Sequence, residues 1–276
     1  MTGAPEVEQV ALVTGASAGI GRACADRLTG AGWAVVGASR RGSSSGPWTG
    51  LVMDVDDDHA VAAGMSSVLD KYGHIDALVV AAGWGLAGAV EHTGVDEAKA
   101  QFETNFFGAL RVVQAALAPM RTRRSGRIVL VSSIGGVVAL PFQAFYSASK
   151  FALEGLGEAL AYEVEPFGIS VTLVQPGNVR TDFTSSRRFA AASERDDVYG
   201  DAMRHAVGVM ERDEQSGVPA DDVAAVVQKV LEDRRPPRRV SVGKAGERVG
   251  VVAKRLLPFR LFESAARGAL GVPDRR

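Results

Sequence analysis

Tyr146 and Lys150 stand four residues apart, downstream of a short apolar run, IVLV at 128–131, that ends in Ser132 and Ser133. Such a run suits a strand buried on both faces. A Gly-Gly turn and Pro141 separate it from the tyrosine, and a helix over 146–150 would put the phenol and the ammonium on one face. A hydroxyl at a strand end, a phenol and an ammonium together suit proton transfer to a carbonyl oxygen. An unperturbed tyrosine titrates near ~10, so as a base it needs help. A cation held beside it favours the phenolate and draws its pKa down.

The elements that must position these groups alternate in type. Residues 10–13 read as a strand, followed by the loop TGASAGIG at 14–21 and a helix over 20–30 with Ile20, Cys24 and Leu28 on one face. Glycines let a backbone turn sharply and let a phosphate approach, and a helix N-terminus offers that anion free N–H groups. The same pattern also fits an ordinary glycine-rich turn, and its spacing differs from the general G-x-G-x-x-G fingerprint. A second strand at 33–38 precedes Arg40 and Arg41. An arginine there suits the 2′-phosphate of NADP, or is a solvated surface residue. SSSGP at 43–47 reads as a turn. A third strand at 51–55 carries Asp54, placed either to accept from an adenine amino group or to cap the next helix.

A helix at 58–73, a strand at 75–80 closing in Ala81-Ala82-Gly83, and helical pattern over 95–120 follow, with Asn105 inside it. Helix runs from Tyr146 to about 167, strand from 169 to 174, and a break comes at Pro176-Gly177. Residues 178–217 are polar and mixed, the pattern of a binding loop or lid. A helix at 220–231 and a last strand at 239–242 precede an apolar, Arg-bearing C-terminal extension at about 245–276, read as a helix packed on its own domain rather than a membrane-surface contact. The alternation predicts one doubly wound α/β domain spanning 1–276, with a mostly parallel sheet of about seven strands.

The composition excludes several alternatives. Lys and Arg number 31 against 32 Asp and Glu, so no basic excess points to nucleic acid. Cys24 is the only cysteine, which rules out an internal disulfide and favours a reducing, cytoplasmic setting. Residues 1–8 read as a loose leader rather than a secretory signal, and no apolar stretch is long enough to span a membrane. No metal site is assigned.

Over about residues 9–185 the chain resembles the short-chain dehydrogenase/reductase family. The motifs that carry the resemblance are TGASAGIG, Asp54-Val55, Ala81-Ala82-Gly83, Asn105, Ser133, Tyr146-x-x-x-Lys150 and Pro176-Gly177 with Thr181. Residues 144–183 are similar to the branch that contains hydroxysteroid and retinol dehydrogenases. The resemblance implies a Rossmann-type domain and a catalytic set of Asn105, Ser133, Tyr146 and Lys150. In that set Tyr146 exchanges the proton, Lys150 lowers its pKa and holds the nicotinamide ribose, Ser133 polarises the carbonyl, and Asn105 supports a water leading from Lys150. It implies cofactor contacts from Gly15, Ser17, Gly19, Ile20 and Gly21 at the loop. Further contacts come from Arg40, Asp54, Val55, Ala82 and Gly83 on the adenosine side, and from Pro176, Gly177, Val179 and Thr181 at the nicotinamide end.

Two departures from the family pattern stand out. Ala81 replaces the usual asparagine that ties the strand end together. Ala18 replaces a basic residue present in many NADP-using relatives, so the NADP(H) expectation rests on Arg40, with Arg41, and NAD(H) stays open. The expected activity interconverts a secondary alcohol and a ketone. Its substrate would be a bulky hydrophobic, steroid- or retinoid-like molecule, bound by Ser133, Tyr146, Phe142 and Phe183, with Phe145, Phe189 and the tail as further candidate walls or core residues. The alternative is a non-catalytic nucleotide sensor or scaffold of the same fold. The resemblance implies a homodimer or homotetramer through two long helices, here near 100–122 and 146–167, whose apolar content, including Leu153, Leu156 and Leu160, allows such a contact.

Overall fold

The computed structural model describes residues 9–42 and 46–270; the leader and part of the turn at 43–47 lie outside them. Strand β1 (Val10–Thr14) is wholly buried, and its alternation explains why it reads as an unbroken apolar run. Val10 and Leu12 enter one core layer, whereas Ala11 and Val13 enter the other. Helix α1 (Gly19–Gly30) leads to β2 (Ala34–Ser39) and β3 (Thr49–Val52), and β3 ends before Asp54. Helix α2 (Asp58–Tyr72), β4 (Ala77–Val80) and the two-residue β5 (Leu86–Ala87) follow. Helices α3 (Val95–Phe102) and α4 (Ala109–Arg123) are joined by a wide π-helical turn, Glu103–Gly108, so the helical pattern near 100 is two pieces.

Strand β6 (Gly126–Val131) and helix α5 (Ala144–Val164) then bracket the loop that carries Ser133. Strand β7 (Ile169–Pro176) and the short β8 (Val179–Arg180) lead into the segment read as an irregular lid. It holds helix α6 (Phe183–Ser186), the short β9 (Arg188–Phe189) and a 16-residue helix α7 (Gly200–Gln215). The α7 stripe, Met203, Ala206, Val207 and Met210, has helical spacing, but acids and arginines dilute it in the sequence. The short β10 (Val218–Pro219), helix α8 (Ala220–Glu232) and β11 (Arg239–Val242) complete the domain, and α9 (Ala245–Leu256) and α10 (Phe259–Ala269) extend it. Pro258 splits the tail into these two helices where one was expected.

Seven strands pair in parallel in the order β11-β7-β6-β4-β1-β2-β3. Helices α2, α4 and α5 cover one face of this sheet, and α1 and α8 cover the other. The chain reverses its winding between β1 and β4, so the crevice beyond their C-terminal ends is where a ligand is expected. Leu153 and Leu160 are buried in the domain's own core and Leu156 packs against it. Leu153 and Leu160 are therefore not available for an oligomer contact; among the large hydrophobic side chains of these helices and the turn between α3 and α4, Phe107, Phe151 and Tyr162 are exposed. No helix among the described residues is long and apolar enough to cross a membrane.

Candidate active site

Thr14 ends β1, and the chain turns at once through Gly15 into α1. Gly15 has a φ of +69°, and a Cβ there would lie 2.9 Å from the Ala82 backbone. A Cβ on Gly21 would strike the Gly15 carbonyl. Backbone therefore packs on backbone where β1 meets β4, which only glycine permits. The first turn of α1 has no side-chain cap, so its N–H groups are available to an anion. Gly15, Ser17, Gly19, Ile20 and Gly21 all line one cleft of about 1260 Å³.

The strand end at Ala81 is tied after all, from the other side. Thr14, fully buried, accepts at Oγ1 from the backbone N–H groups of Ala81 (3.1 Å) and Ala82 (3.2 Å). The hydroxyl thus supplies the cross-strand link that residue 81 does not.

Arg40 and Arg41 follow β2, are exposed and line the same cleft. Neither pairs with a carboxylate among the described residues. Asp54, Val55, Ala82 and Gly83 line it as well. Asp54 accepts from the Asp56 N–H at 3.1 Å, while the cap of α2 is Asp57, which accepts from Ala60 at 2.9 Å. The capping role considered for Asp54 therefore belongs to Asp57.

Asn105 sits in the π-helical turn, buried and engaged at both ends of its amide. Its Oδ1 accepts from the Trp84 N–H at 3.0 Å, and its Nδ2 donates to the Trp84 carbonyl at 3.0 Å and to Ser149 Oγ at 3.2 Å. The wide turn lets a helix-interior asparagine reach a neighbouring loop. Asn105 lies behind Gly83 rather than in the cleft wall: a Cβ on Gly83 would stand 3.1 Å from its Oδ1 and 3.8 Å from Lys150 Nζ.

Ser133, Tyr146 and Lys150 meet at the floor. Ser133 Oγ accepts from the Gly135 N–H at 2.9 Å, and it stands close enough to the Tyr146 phenol to influence its titration. Burial pushes the phenol above its ordinary pKa. The neighbouring Ser133 hydroxyl draws it down, Glu214 raises it, and Arg187 lowers it. The expected pull of Lys150 is not among these influences. Its Nζ donates instead to the Val131 carbonyl at 2.8 Å, and burial lowers its pKa to about 8 against the opposing charge of Glu154. Glu214 and the buried Arg187 form an ion pair, so the lid carries charges of both signs to the phenol.

At the far wall Pro176, Gly177, Val179 and Thr181 line the cleft. Glu247, at the start of α9, accepts from Asn178 Nδ2 at 2.7 Å and from the Lys244 N–H at 2.9 Å. It pins the 176–178 turn to the C-terminal extension. The sequence offers a glutamate near a helix start as its only signal.

Phe183 stands over the reactive end, its ring centroid 5.6 Å from that of Tyr146. Phe142 does not line the cleft. It adopts a φ of +58° and packs against Ala87, Met203 and Val207, anchoring the lid. Phe145 and Phe189 are likewise outside the cleft wall, whose apolar lining comes from Trp84, Val138, Leu140 and Met210, with Val251 and Leu257 of the extension.

The arrangement fits a dinucleotide. Close-packed glycines and an uncapped helix start would take the pyrophosphate, and the exposed arginines would meet the adenosine end. A doubly wound parallel sheet with a glycine turn at its switch point is a dinucleotide-binding architecture.

Comparisons with known proteins place it further. A family model described as short chain dehydrogenase matches residues 9–191. The chain is 38% identical over 260 residues to a 3-ketodihydrosphingosine reductase of Bacteroides thetaiotaomicron, covering 94% of this chain and 97% of that one. It is 35% identical over 249 residues to estradiol 17-beta-dehydrogenase 1 of Rattus norvegicus, covering 83% and 71%. A solved short-chain dehydrogenase from Streptomyces avermitilis superposes with a TM-score of 0.83 at 32% identity, over 96% and 99% of the two chains. The chain belongs to the short-chain dehydrogenase family and is an oxidoreductase acting on CH–OH groups with NAD(P).

Proposed function

We propose that the protein is an NADP(H)-dependent oxidoreductase that interconverts a secondary alcohol and a ketone on a bulky, lipid-like molecule, with Tyr146 as the acid/base. The observation that carries this reading is that Ser133, Tyr146 and Lys150 line the same cleft that the glycine loop opens onto. The bound dinucleotide supplies the hydride. Tyr146, whose phenol burial holds still more firmly in its protonated form, donates that proton to the oxygen of a ketone and takes it back in the reverse direction. Ser133 orients that oxygen, and Lys150 holds the nicotinamide ribose. Asn105 fixes the turn at Trp84 against α5, keeping the floor in register. Arg40 and Arg41, exposed and without carboxylate partners among the described residues, favour the 2′-phosphate.

The apolar lining, running from Phe183 to Val251 and Leu257, supports a long hydrophobic substrate. Two relatives carry names that refer to a 3-ketodihydrosphingosine and an estradiol, which supports the ketone and the apolar body. The test is a panel of long-chain ketones, steroids and short polar carbonyls, scored by absorbance of the reduced cofactor with NADPH and with NADH. Turnover of the apolar ketones with NADPH is expected. Cofactor binding with no turnover across the panel would instead indicate a sensor or scaffold.

A further inference from the structure

The C-terminal helices carry an apolar face that none of the other described residues covers. On α9, Val249, Val252 and Leu256 recur at helical spacing and are 65%, 54% and 76% exposed. Leu257, Phe259 and Leu261 continue the face across the bend into α10. The opposite side is seated: Val251 and Phe262 are buried. The pair is therefore docked on the domain by one side and presents its large apolar side chains outward, the pattern of an interaction surface.

Its charge selects the partner. Residues 244–270 hold six Lys and Arg against two Asp and Glu, in a chain of net charge −1. Both acids are engaged locally, Glu247 by Asn178 and the Lys244 N–H, and Glu263 by Arg267. Arg248, Arg255 and Arg260 are exposed beside the apolar residues, and Lys254 lies 4.8 Å and 4.9 Å over the rings of Phe259 and Phe262. Apolar side chains interleaved with cations on an amphipathic helix match the interface of a negatively charged bilayer. A second copy of the same face would bring cation against cation.

We propose that α9 and α10 seat the enzyme on an anionic phospholipid bilayer, with Leu256, Phe259 and Leu261 in the headgroup–acyl boundary and Arg255 and Arg260 among the headgroups. The same two helices wall the outer end of the cleft through Val251, Leu257 and Phe262. The docking stands apart from the substrate reading; a lipid-like substrate entering from the bilayer would rest on both.

The test is co-sedimentation of the full chain with vesicles of phosphatidylglycerol and phosphatidylcholine, and with phosphatidylcholine alone. Binding to the anionic vesicles is expected, weakened by salt. It should fall at least tenfold in the Leu256→Ser/Phe259→Ser/Leu261→Ser variant, and Arg255→Glu/Arg260→Glu should lose the anionic preference. NADPH binding, read by protein fluorescence, should be unchanged in both variants, which shows that they fold. A wild-type chain that stays in the supernatant overturns the proposal, as does a triple-serine variant that pellets like wild type. So does a wild-type dimer that ignores vesicles and that the serine variant converts to monomer. None of these readouts uses turnover, so failure here is separate from failure of the proposed activity.

Discussion

Lys150 Nζ donates to the Val131 carbonyl at 2.8 Å, joining α5 to the end of β6. The ammonium is buried, and its pKa is lowered from 10.5 to about 8, chiefly by loss of solvent. Between those values the unfolded chain binds the proton and the folded chain does not, so this group makes stability rise with pH from about 8 to 10.5 and level off above. Below pH about 8 both states are protonated and the folded state carries a constant penalty, on the order of 3 kcal/mol. Lys150→Met should remove that slope. Urea unfolding of wild type and variant at pH 7 and pH 10 reads the difference: the variant should gain relative to wild type at pH 7, and the gain should shrink at pH 10.

Tyr146→Phe removes the phenolic proton and little else. Turnover should fall by about 10²–10⁴, the usual contribution of a positioned acid or base. NADPH affinity should change little, since the ring remains. Steady-state rates together with fluorescence titration of the cofactor check both halves, and unchanged turnover would reject the mechanism.

Arg40→Asp places a carboxylate where the 2′-phosphate is expected. The ratio of kcat/KM for NADPH over NADH should drop roughly tenfold or more, which corresponds to about 1.4 kcal/mol. If wild type and variant favour NADH alike, Arg40 does not read the phosphate.

Thr14→Val keeps the shape of a buried side chain and deletes the acceptor for two N–H groups, Ala81 and Ala82. Each buried group left without a partner costs about 1–3 kcal/mol. Chemical denaturation should show a loss in that range or above it. The KM for the cofactor should rise, because Ala82 abuts Gly15 at the cleft mouth.

The main sheet was legible because each inner strand is buried on both faces and so reads as a plain apolar run, as at 10–13 and 128–131. Helix α7 was not, because its apolar stripe is diluted by charges that face water or, like Glu214, turn inward to Arg187. The aromatic wall of the cleft was misread for a similar reason. An aromatic residue near a reactive tyrosine in sequence says nothing of the side on which its ring falls, and the left-handed backbone at Phe142 turns that ring into the lid.

The sequence alone determined the winding of the domain, the glycine turn, and the four-residue spacing that puts Tyr146 and Lys150 on one face of α5, because periodicity and glycine placement are local properties of the chain. Tertiary structure decided the rest. Thr14 stands in for the asparagine absent at 81, Glu247 pins the 176–178 turn, and burial rather than Lys150 sets the phenol's proton affinity. Each of these depends on distant segments meeting in low-dielectric surroundings, and desolvation and hydrogen-bond partners exist only once the chain has closed around them.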